Sequence, residues 1–235
     1  MSAPFTGPPP PPIRAPGVER AWAAMDADLA ALARPRKHYQ RYYSLAEADA
    51  DMWRPPQGVH DFLRAYFHFK SADWPGNQPF ELAGRGAEAW AALPTYYIMD
   101  LQPGMAATVA AEMPSPREIA ACRWLPDDEL RVYSDAFAAT GFQGGLNWYR
   151  CKFIDAFVAE EQIFAGRAID VPAAFISGAQ DWGVRQTPGA LETMRDRTCT
   201  DLRVCELIDG AGHWVQQEQS ELVNALLLDF LGGVR

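Results

Sequence analysis

The sequence has 235 residues, with 21 Lys and Arg against 30 Asp and Glu, which gives a formal net charge of −9. This acidic balance argues against a nucleic-acid partner, because the phosphate backbone is bound by basic surfaces. With 49% hydrophobic and 22% charged residues, the composition is that of a globular protein rather than a disordered one. The sequence has no run of 18 apolar residues, so no segment is predicted to cross a membrane.

Cysteine usage and the first residues predict the cellular compartment. The four cysteines have neither CxxC nor metal-ligand spacing, and they are too sparse for a disulfide scaffold. We therefore predict reduced thiols, a cytoplasmic location, and no metal or cofactor.

The first residues lack the apolar stretch of a signal peptide, and the five prolines from Pro8 to Pro12 are typical of an extended polyproline II spacer. A ligand for an SH3-type domain is the less favoured alternative.

The stretch from residue 18 to about residue 160 has a helical character, interrupted by Pro and Gly loops. Ser44 with Glu47, and Ser115 with Glu118, both have capping-box spacing, which predicts a helix start at each serine. Residues 127–137 place their apolar side chains on one helical face behind leading acids. Because this stretch contains no convincing strand, we predict an all-helical unit rich in Tyr, Trp and Phe.

The last 70 residues have a different pattern. Residues 171–178 and 202–208 are apolar runs that suit buried parallel strands, and Thr187 with Pro188 between them predicts a helix start. Ser220 is predicted to cap a further helix, whose broad apolar stripe ends at the two glycines at 232 and 233. A two-stranded parallel sheet cannot bury itself, so we predict one edge of a larger doubly wound sheet. An unpaired edge would also favour self-association.

Two ionisable residues follow the predicted strands. Asp181 comes after the first strand and His213 after the second, and functional groups of α/β sheets collect at the carboxyl ends of strands. An Asp that accepts the Nδ1–H of a His leaves Nε2 available as a general base. The alternative is that His213 is a loop histidine and Asp181 an ordinary turn or helix-capping residue.

The sequence offers no clear nucleophile for such a pair. It contains no G-x-S-x-G motif, and no Cys lies on a predicted strand-to-helix turn. Residues 179–183 have the small-x-nucleophile-x-small form around Asp181. In α/β-hydrolases, however, the acid lies between nucleophile and His along the chain, so we assign Asp181 as the acid and regard the nucleophile as absent.

Three motifs carry a resemblance to a known family. They are GFQGGLNWYR at 141–150, KHYQRY at 37–42 and GAGHWVQQE at 210–218. Together they resemble the soluble epoxide hydrolase branch of the α/β-hydrolase fold. The resemblance implies an α/β protein with the C-terminal part of an α/β-hydrolase core, in the order βαβα, plus a helical cap domain. We divide the chain into a Pro-rich connector at 1–29, the cap at 30–160 and the core segment at 161–235.

The resemblance also implies a mechanism. In the family, an Asp in a G-x-D-W-G elbow opens the epoxide to an ester, two cap tyrosines donate hydrogen bonds to the epoxide oxygen, and a His activates water against the ester. Matching the motifs makes Tyr39 and Tyr149 the two tyrosines, His213 the base and Asp181 its orienting acid. The tyrosine hydroxyls are expected to converge on one cavity that faces His213. Aromatic residues are expected to line an apolar pocket for a small hydrophobic substrate: Tyr42, Phe142, Trp148, Trp182 and Trp214.

Elementary chemistry favours phenols in this role. Ring opening develops an alkoxide, and a phenol with a pKa near 10 is protonated at pH 7 yet acidic enough to donate as that charge appears. The alternative is that Tyr39 and Tyr149 only pack, with each hydroxyl satisfied by a backbone carbonyl.

One departure from the family pattern affects the expected activity. The nucleophile elbow and the H-G-x-P oxyanion loop of the family both lie N-terminal to the cap, and this sequence has neither. We therefore expect that the N-terminal half of the core is missing, through a start assigned at an internal Met or a true truncation. The chain alone is then expected not to form the ester.

Two other functions stay open. The first is a noncatalytic fragment or binding module that keeps the aromatic pocket, and the second is a haloalkane or haloacid dehalogenase whose halide is held by Trp and other N–H donors. The basic aromatic stretch at 34–43 suggests single-stranded nucleic acid, but its charge is local and acids follow it. His60 and His68 are eight residues apart without a third ligand, which favours ordinary cap residues over a metal site.

Overall fold

A computed structural model describes residues 3–8 and 17–234, without the side chain of Val18. Most of the predicted polyproline segment, from Pro9 to Pro12, lies outside the described residues. The chain divides into two compact units. We call Pro11–Phe69 with Gly86–Ile163 the helical unit, and Met1–Pro10 with Lys70–Arg85 and Phe164–Arg235 the sheet unit. The segment Lys70–Arg85 falls inside the range predicted for the cap but groups with the sheet unit.

The helical unit contains mostly short helices. Its first helix lies largely within the range 1–29 that was assigned to the connector. In chain order the elements are α1 (Val18–Ala30), β1 (Arg36–His38), α2 (Tyr39–Ser44), α3 (Glu47–Trp53), α4 (Gly58–Lys70, whose last residue groups with the sheet unit), α5 (Ala87–Trp90), β2 (Ile98–Asp100), α6 (Met105–Ala110), α7 (Pro116–Ala121), α8 (Asp127–Thr140), α9 (Gln143–Cys151) and α10 (Asp155–Glu161).

The prediction of an all-helical unit was wrong in one respect. Strands β1 and β2 pair in an antiparallel ladder that runs from Arg36 opposite Asp100 to His38 opposite Ile98. The guanidinium of Arg36 also donates to the Ile98 carbonyl at 2.7 Å. Three residues are too few to display the period-two alternation that identifies a strand in a sequence.

The two predicted capping boxes had opposite outcomes. At the start of α7, Ser115 Oγ accepts from the Glu118 N–H at 3.3 Å, and the Glu118 carboxylate accepts from the Ser115 N–H at 2.8 Å. The capping box predicted at Ser115 is thus confirmed. The prediction at Ser44 was wrong, because Ser44 is the last residue of α2 and its hydroxyl donates to the Arg41 carbonyl at 2.7 Å. Helix α3 begins at Glu47 instead.

The sheet unit contains the predicted parallel strand pair. Strands β3 and β4 run in parallel with Ala174 opposite Val204 and Gly178 opposite Ile208. Among the described residues, β3 pairs with β4 alone. The elements are β3 (Ala173–Gly178), α11 (Ala190–Thr193), β4 (Leu202–Ile208), α12 (Val215–Glu218) and α13 (Ser220–Gly233).

The helix between the two strands begins later than predicted. Gly189, not Thr187, precedes the first residue of α11, and its φ of 73° lies in the left-handed region that favours glycine. The helix then continues as a π-helical turn at Met194–Thr198. The start predicted from Thr187 and Pro188 was therefore wrong by two residues. Ser220, predicted to cap α13, is the first residue of that helix instead, and Gln219 precedes it.

Both faces of β3 are packed, as expected for a parallel sheet. Phe175 is 2% exposed and belongs to a cluster with Met194, whereas its neighbour Ile176 is 7% exposed and belongs to a cluster with Val223 of α13. Successive side chains of a strand point to opposite faces, so the two clusters cover the two faces. The outer leucines of the α13 stripe remain exposed, with Leu231 at 62%.

No helix in the part of the chain that the structure describes is both long and apolar enough to span a bilayer.

Close backbone packing at the end of β3 leads to a stability prediction. A Cβ on Gly178 would lie 2.2 Å from the backbone oxygens of Ala211 and Gly212. Gly178→Ala is therefore expected to lower the free energy of unfolding by about 1–3 kcal/mol in urea denaturation, because backbone atoms cannot move aside without displacing the loop. Gly232→Ala is the control, since its added Cβ would meet no described atom within 4 Å beyond its chain neighbours and its own helix backbone, and Ala favours a helix. Equal effects of the two substitutions would contradict this account.

Candidate active site

Asp181 is fixed by the turn that follows β3. Its backbone precedes the 3-10 turn Trp182–Val184, and its Oδ1 accepts from the Gly183 N–H at 2.7 Å. The residue is only 2% exposed. This local capping hydrogen bond holds the carboxylate at the carboxyl end of the strand.

His213 lies in the loop after β4 and points its ring at Asp181. Its Nδ1 is 3.3 Å from Oδ1 and 3.2 Å from Oδ2 of Asp181, and its backbone N–H donates to the Lys70 carbonyl at 2.9 Å. The structure thus brings together the acid and the imidazole named from the sequence. An ionised carboxylate can only accept, so Nδ1 carries the proton and Nε2 keeps its lone pair.

Burial and neighbouring charges set the ionisation of this pair. Burial lowers the pKa of His213, and the Lys70 ammonium lowers it further against the opposing effect of Asp181. Burial alone would raise the pKa of Asp181, but His213, the Gly183 N–H and Lys70 outweigh it, so that pKa lies below its ordinary value. At neutral pH the pair is therefore a carboxylate and a neutral imidazole, which is the state a general base requires.

An apolar cleft of about 460 Å³ in the sheet unit borders His213. Trp214, Ile176 and Leu227 also line it, and the Trp214 ring meets the imidazole edge-on at 4.8 Å. This volume lies within the range of small-molecule sites. Contact of Trp214 with a substrate stays a prediction.

Trp182, the other tryptophan expected to bind substrate, is a buried residue of the sheet unit. It is 3% exposed and packs against Phe80 with ring centroids 5.0 Å apart. Its indole N–H is buried and has no hydrogen-bond partner among the described residues. Its role in binding stays a prediction.

Tyr39 is the first residue of α2 in the helical unit. His38 caps this helix through Nδ1, which accepts from the Gln40 N–H at 3.2 Å, and burial lowers the pKa of His38 to about 3. The Tyr39 backbone N–H donates to the Tyr97 carbonyl at 2.9 Å. The Tyr39 hydroxyl accepts from the Gln40 side chain at 3.0 Å, and a phenol that accepts one hydrogen bond can still donate another.

Tyr149, on α9, lies beside Tyr39. The two rings have centroids 5.9 Å apart at 72°. The next residue, Arg150, links α9 to α2, because its guanidinium donates to the Ser44 carbonyl at 3.2 Å. It also donates to Gln143, within α9, at 3.0 Å. The Arg of the N-W-Y-R motif therefore positions the Tyr that precedes it.

Tyr43 and Tyr66 extend this group, and we call the four residues the tyrosine cluster. The Tyr43 ring lies 5.6 Å from Tyr39 and 5.0 Å from Tyr149, and its hydroxyl is 3.1 Å from that of Tyr66. Burial raises the pKa of both Tyr43 and Tyr66, so these phenols are protonated at neutral pH. The i, i+4 spacing of Tyr39 and Tyr43 was a sequence signal for this contact, whereas Tyr66 comes from the distant α4 and had none.

The remaining aromatic residues expected at the pocket have other observed contacts. The Tyr42 hydroxyl donates to Asp51 at 2.5 Å, and burial together with that carboxylate raises the pKa of Tyr42. Phe142 stacks on Phe137 with centroids 4.4 Å apart, and Trp148 is 72% exposed. Contact of Tyr42, Phe142 and Trp148 with a substrate stays a prediction.

Among the described residues, no group of three His, Cys, Asp or Glu side chains is arranged to hold a metal ion. His60, one of the two histidines considered as metal ligands in the sequence, has its Nδ1 3.3 Å from the carboxylate oxygen Oδ1 of its neighbour Asp61.

Comparison with known proteins finds relatives that share one name. The chain is 40% identical over 125 residues to epoxide hydrolase A of Mycobacterium tuberculosis, which covers 52% of this chain and 36% of that protein. It is 37% identical over 117 residues to epoxide hydrolase B of the same organism, which covers 48% of this chain and 31% of that protein. No protein-family model matches the chain.

Solved structures cover the whole chain. Epoxide hydrolase A from Mycobacterium thermoresistibile superimposes with a TM-score of 0.63 at 29% identity, over 100% of this chain and 60% of that one. An epoxide hydrolase from an endophytic Streptomyces gives a TM-score of 0.65 at 24% identity, which shows the fold alone. The chain therefore spans about a third of the length of the curated relatives and 60% of these solved chains.

Proposed function

We propose that this chain, an epoxide-hydrolase-like α/β-hydrolase with part of the catalytic core and a helical cap, supplies the base and the hydrogen-bond donors for hydrolysis of an epoxide to a diol. The observation that carries the proposal is the hydrogen-bonded pair of His213 and Asp181 after two adjacent parallel strands. The tyrosine cluster supports it independently. The substrate would be a small hydrophobic epoxide, which suits aromatic and apolar walls.

The pair would act in the second half of the reaction. Neutral Nε2 of His213 takes a proton from water while the water oxygen attacks the carbonyl carbon of the alkyl-enzyme ester. Asp181 stabilises the imidazolium that forms, as in other His–Asp pairs. Collapse of the intermediate breaks the acyl–oxygen bond, and the departing alkoxide takes the proton from the imidazolium. The carboxylic acid that is released returns its proton to the tyrosinate left by the first half, so the diol and the free carboxylate result.

The tyrosines would act in the first half. Attack of the carboxylate on an epoxide carbon forms the ester bond, breaks a C–O bond and leaves negative charge on the epoxide oxygen, which takes the phenol proton of one tyrosine. Hydrogen bonds that strengthen as this charge develops lower the barrier, and Tyr39 with Tyr149 are the donors we assign. That both hydroxyls act on the same substrate as His213 stays a prediction of this mechanism.

The carboxylate nucleophile would come from polypeptide outside this sequence. No G-x-D-W-G elbow precedes the cap motifs, and Asp181 already serves His213. The test is to read the DNA upstream of the Met1 codon for an in-frame strand followed by that elbow. We call this chain joined to such a segment the extended protein. It is expected to convert styrene oxide to its diol, and an extended protein without turnover would contradict the proposal.

One observation favours a dehalogenase as the second candidate. The buried indole N–H of Trp182 has no partner among the described residues, and tryptophan N–H groups suit a halide ion. Chloride release from a chloroalkane by the extended protein, without diol from an epoxide, would select this alternative. The tyrosine cluster favours the epoxide.

The third candidate is a noncatalytic module. Absence of an upstream elbow would favour it, and we would then expect binding of hydrophobic ligands without turnover.

Self-association through the edge of β3 that does not pair with β4 and a cytoplasmic location both stay predictions. Sedimentation velocity at several protein concentrations tests the first of them.

A further inference from the structure

We propose that Glu218 is a positioning residue that holds the backbone around His213 and thereby aims the imidazole at Asp181. Glu218 is the last residue of α12, and its carboxylate accepts three backbone hydrogen bonds from two separate segments of the sheet unit. This inference rests on the proposed function, because it assigns His213 the role of base.

The three donors surround the histidine. Glu218 Oε2 lies 3.0 Å from the N–H nitrogen of Gly212, and Oε1 lies 3.0 Å from that of Trp214. The residues before and after His213 are thus both bound to the same carboxylate. The third donor is the Ala72 N–H, which is 2.7 Å from Oε2 and 146 positions away in the sequence.

The two segments also pack backbone against backbone. The His213 N–H donates to the Lys70 carbonyl at 2.9 Å, and a Cβ on Gly212 would lie 2.6 Å from that carbonyl oxygen. No side chain fits between the segments at this point. A single carboxylate bound to both therefore fixes the distance of the loop from the 70–72 segment, and with it the position of the imidazole.

The chemistry of the acceptor explains why a carboxylate suits this position. Burial raises the pKa of Glu218, and the hydrogen bonds from Ala72, Gly212 and Trp214 oppose that rise. Both carboxylate oxygens accept, so three donors from two directions are satisfied at once. A glutamine has the same shape, but its amide NH₂ group is a donor and would face a backbone N–H group, which is also a donor. Hydrogen bonds to a charged acceptor are also stronger than neutral ones.

The test compares Glu218→Gln with Glu221→Gln in the full chain. Glu221 is an exposed carboxylate in the first turn of α13 and serves as the matched control. Glu218→Gln is expected to speed amide hydrogen exchange at Gly212 and Trp214 about tenfold or more, as the charged hydrogen bonds are lost. It is also expected to reduce the fraction of His213 that carries its proton on Nδ1, measured from the ring ¹⁵N shifts.

The tautomer decides between positioning and mere support of the loop. Faster exchange with the wild-type tautomer of His213 would overturn the proposal, as would wild-type values of both. If Glu218→Gln does not fold, Glu218→Asp keeps the charge on a shorter side chain and should shift the tautomer in the same direction. A wild-type tautomer in that variant would also overturn it. The tautomer of His213 is measured without substrate. If Glu218→Gln shifts this tautomer in an extended protein that shows no epoxide turnover, the positioning role of Glu218 stands and the proposed function is rejected.

Discussion

Replacement of His213 by Gln in the extended protein is expected to slow diol release about 10²–10⁴-fold while the ester still forms. The nucleophile would attack the epoxide without help from the imidazole, whereas hydrolysis of the ester needs Nε2 to take a proton from water. General base catalysis contributes about 10²–10⁴-fold, so kcat should fall by that factor. Intact-protein mass spectrometry should then show protein that carries one substrate molecule.

The control for this substitution is His60→Gln. His60 belongs to the helical unit, and its Nδ1 lies beside the carboxylate of its neighbour Asp61. That variant should keep its kcat and accumulate no adduct. A His213→Gln protein that turns over normally would remove His213 from the mechanism, and one that neither turns over nor forms an adduct would place the imidazole in the alkylation step.

Removal of either phenol is expected to have the second-largest effect. Tyr39→Phe and Tyr149→Phe should each lower the rate of ester formation by about 10²–10³-fold, the cost typical of losing one donor to a developing oxyanion. Single-turnover measurement of the adduct in the His213→Gln background isolates this step from hydrolysis. Packing should change little, because each Phe keeps the ring that forms the aromatic contact between these residues.

Tyr133→Phe is the control for the phenols. Tyr133 lies on α8 and its ring packs against Phe67 with centroids 5.4 Å apart. Loss of its hydroxyl should leave ester formation unchanged. If all three variants react at the wild-type rate, Tyr39 and Tyr149 only pack, and the assignment of an epoxide loses its main support.

The sequence predicted the sheet unit well because its signals are local. Strand β4 has the predicted bounds and β3 begins two residues late, since continuous apolar runs bounded by turn residues identify buried strands. The order of strand, helix and strand then led to the correct parallel pairing. The placement of Asp181 and His213 after neighbouring strands follows from that topology, and for this reason the pair was accessible without a structure.

Predictions failed where bonding outside the expected pattern decides the local structure. Ser44 has capping-box spacing to Glu47, but α2 extends through it and its hydroxyl bonds within that helix. Strands β1 and β2 are three residues each, so only their mutual pairing defines them. The contact of Tyr66 with Tyr43 and the hydrogen bond from the Ala72 N–H to Glu218 were missed, because each joins distant segments that no spacing rule connects.

The most direct test of the account is turnover by the 235-residue chain itself. The purified chain is incubated with styrene oxide and the diol is quantified by chromatography, beside the same chain carrying His213→Gln. We predict equal, background amounts of diol in the two samples, because the proposed mechanism assigns to this chain the base and the donors but not the nucleophile. Diol formation that depends on His213 in the chain alone would contradict the account, since it would show that the nucleophile lies within these residues.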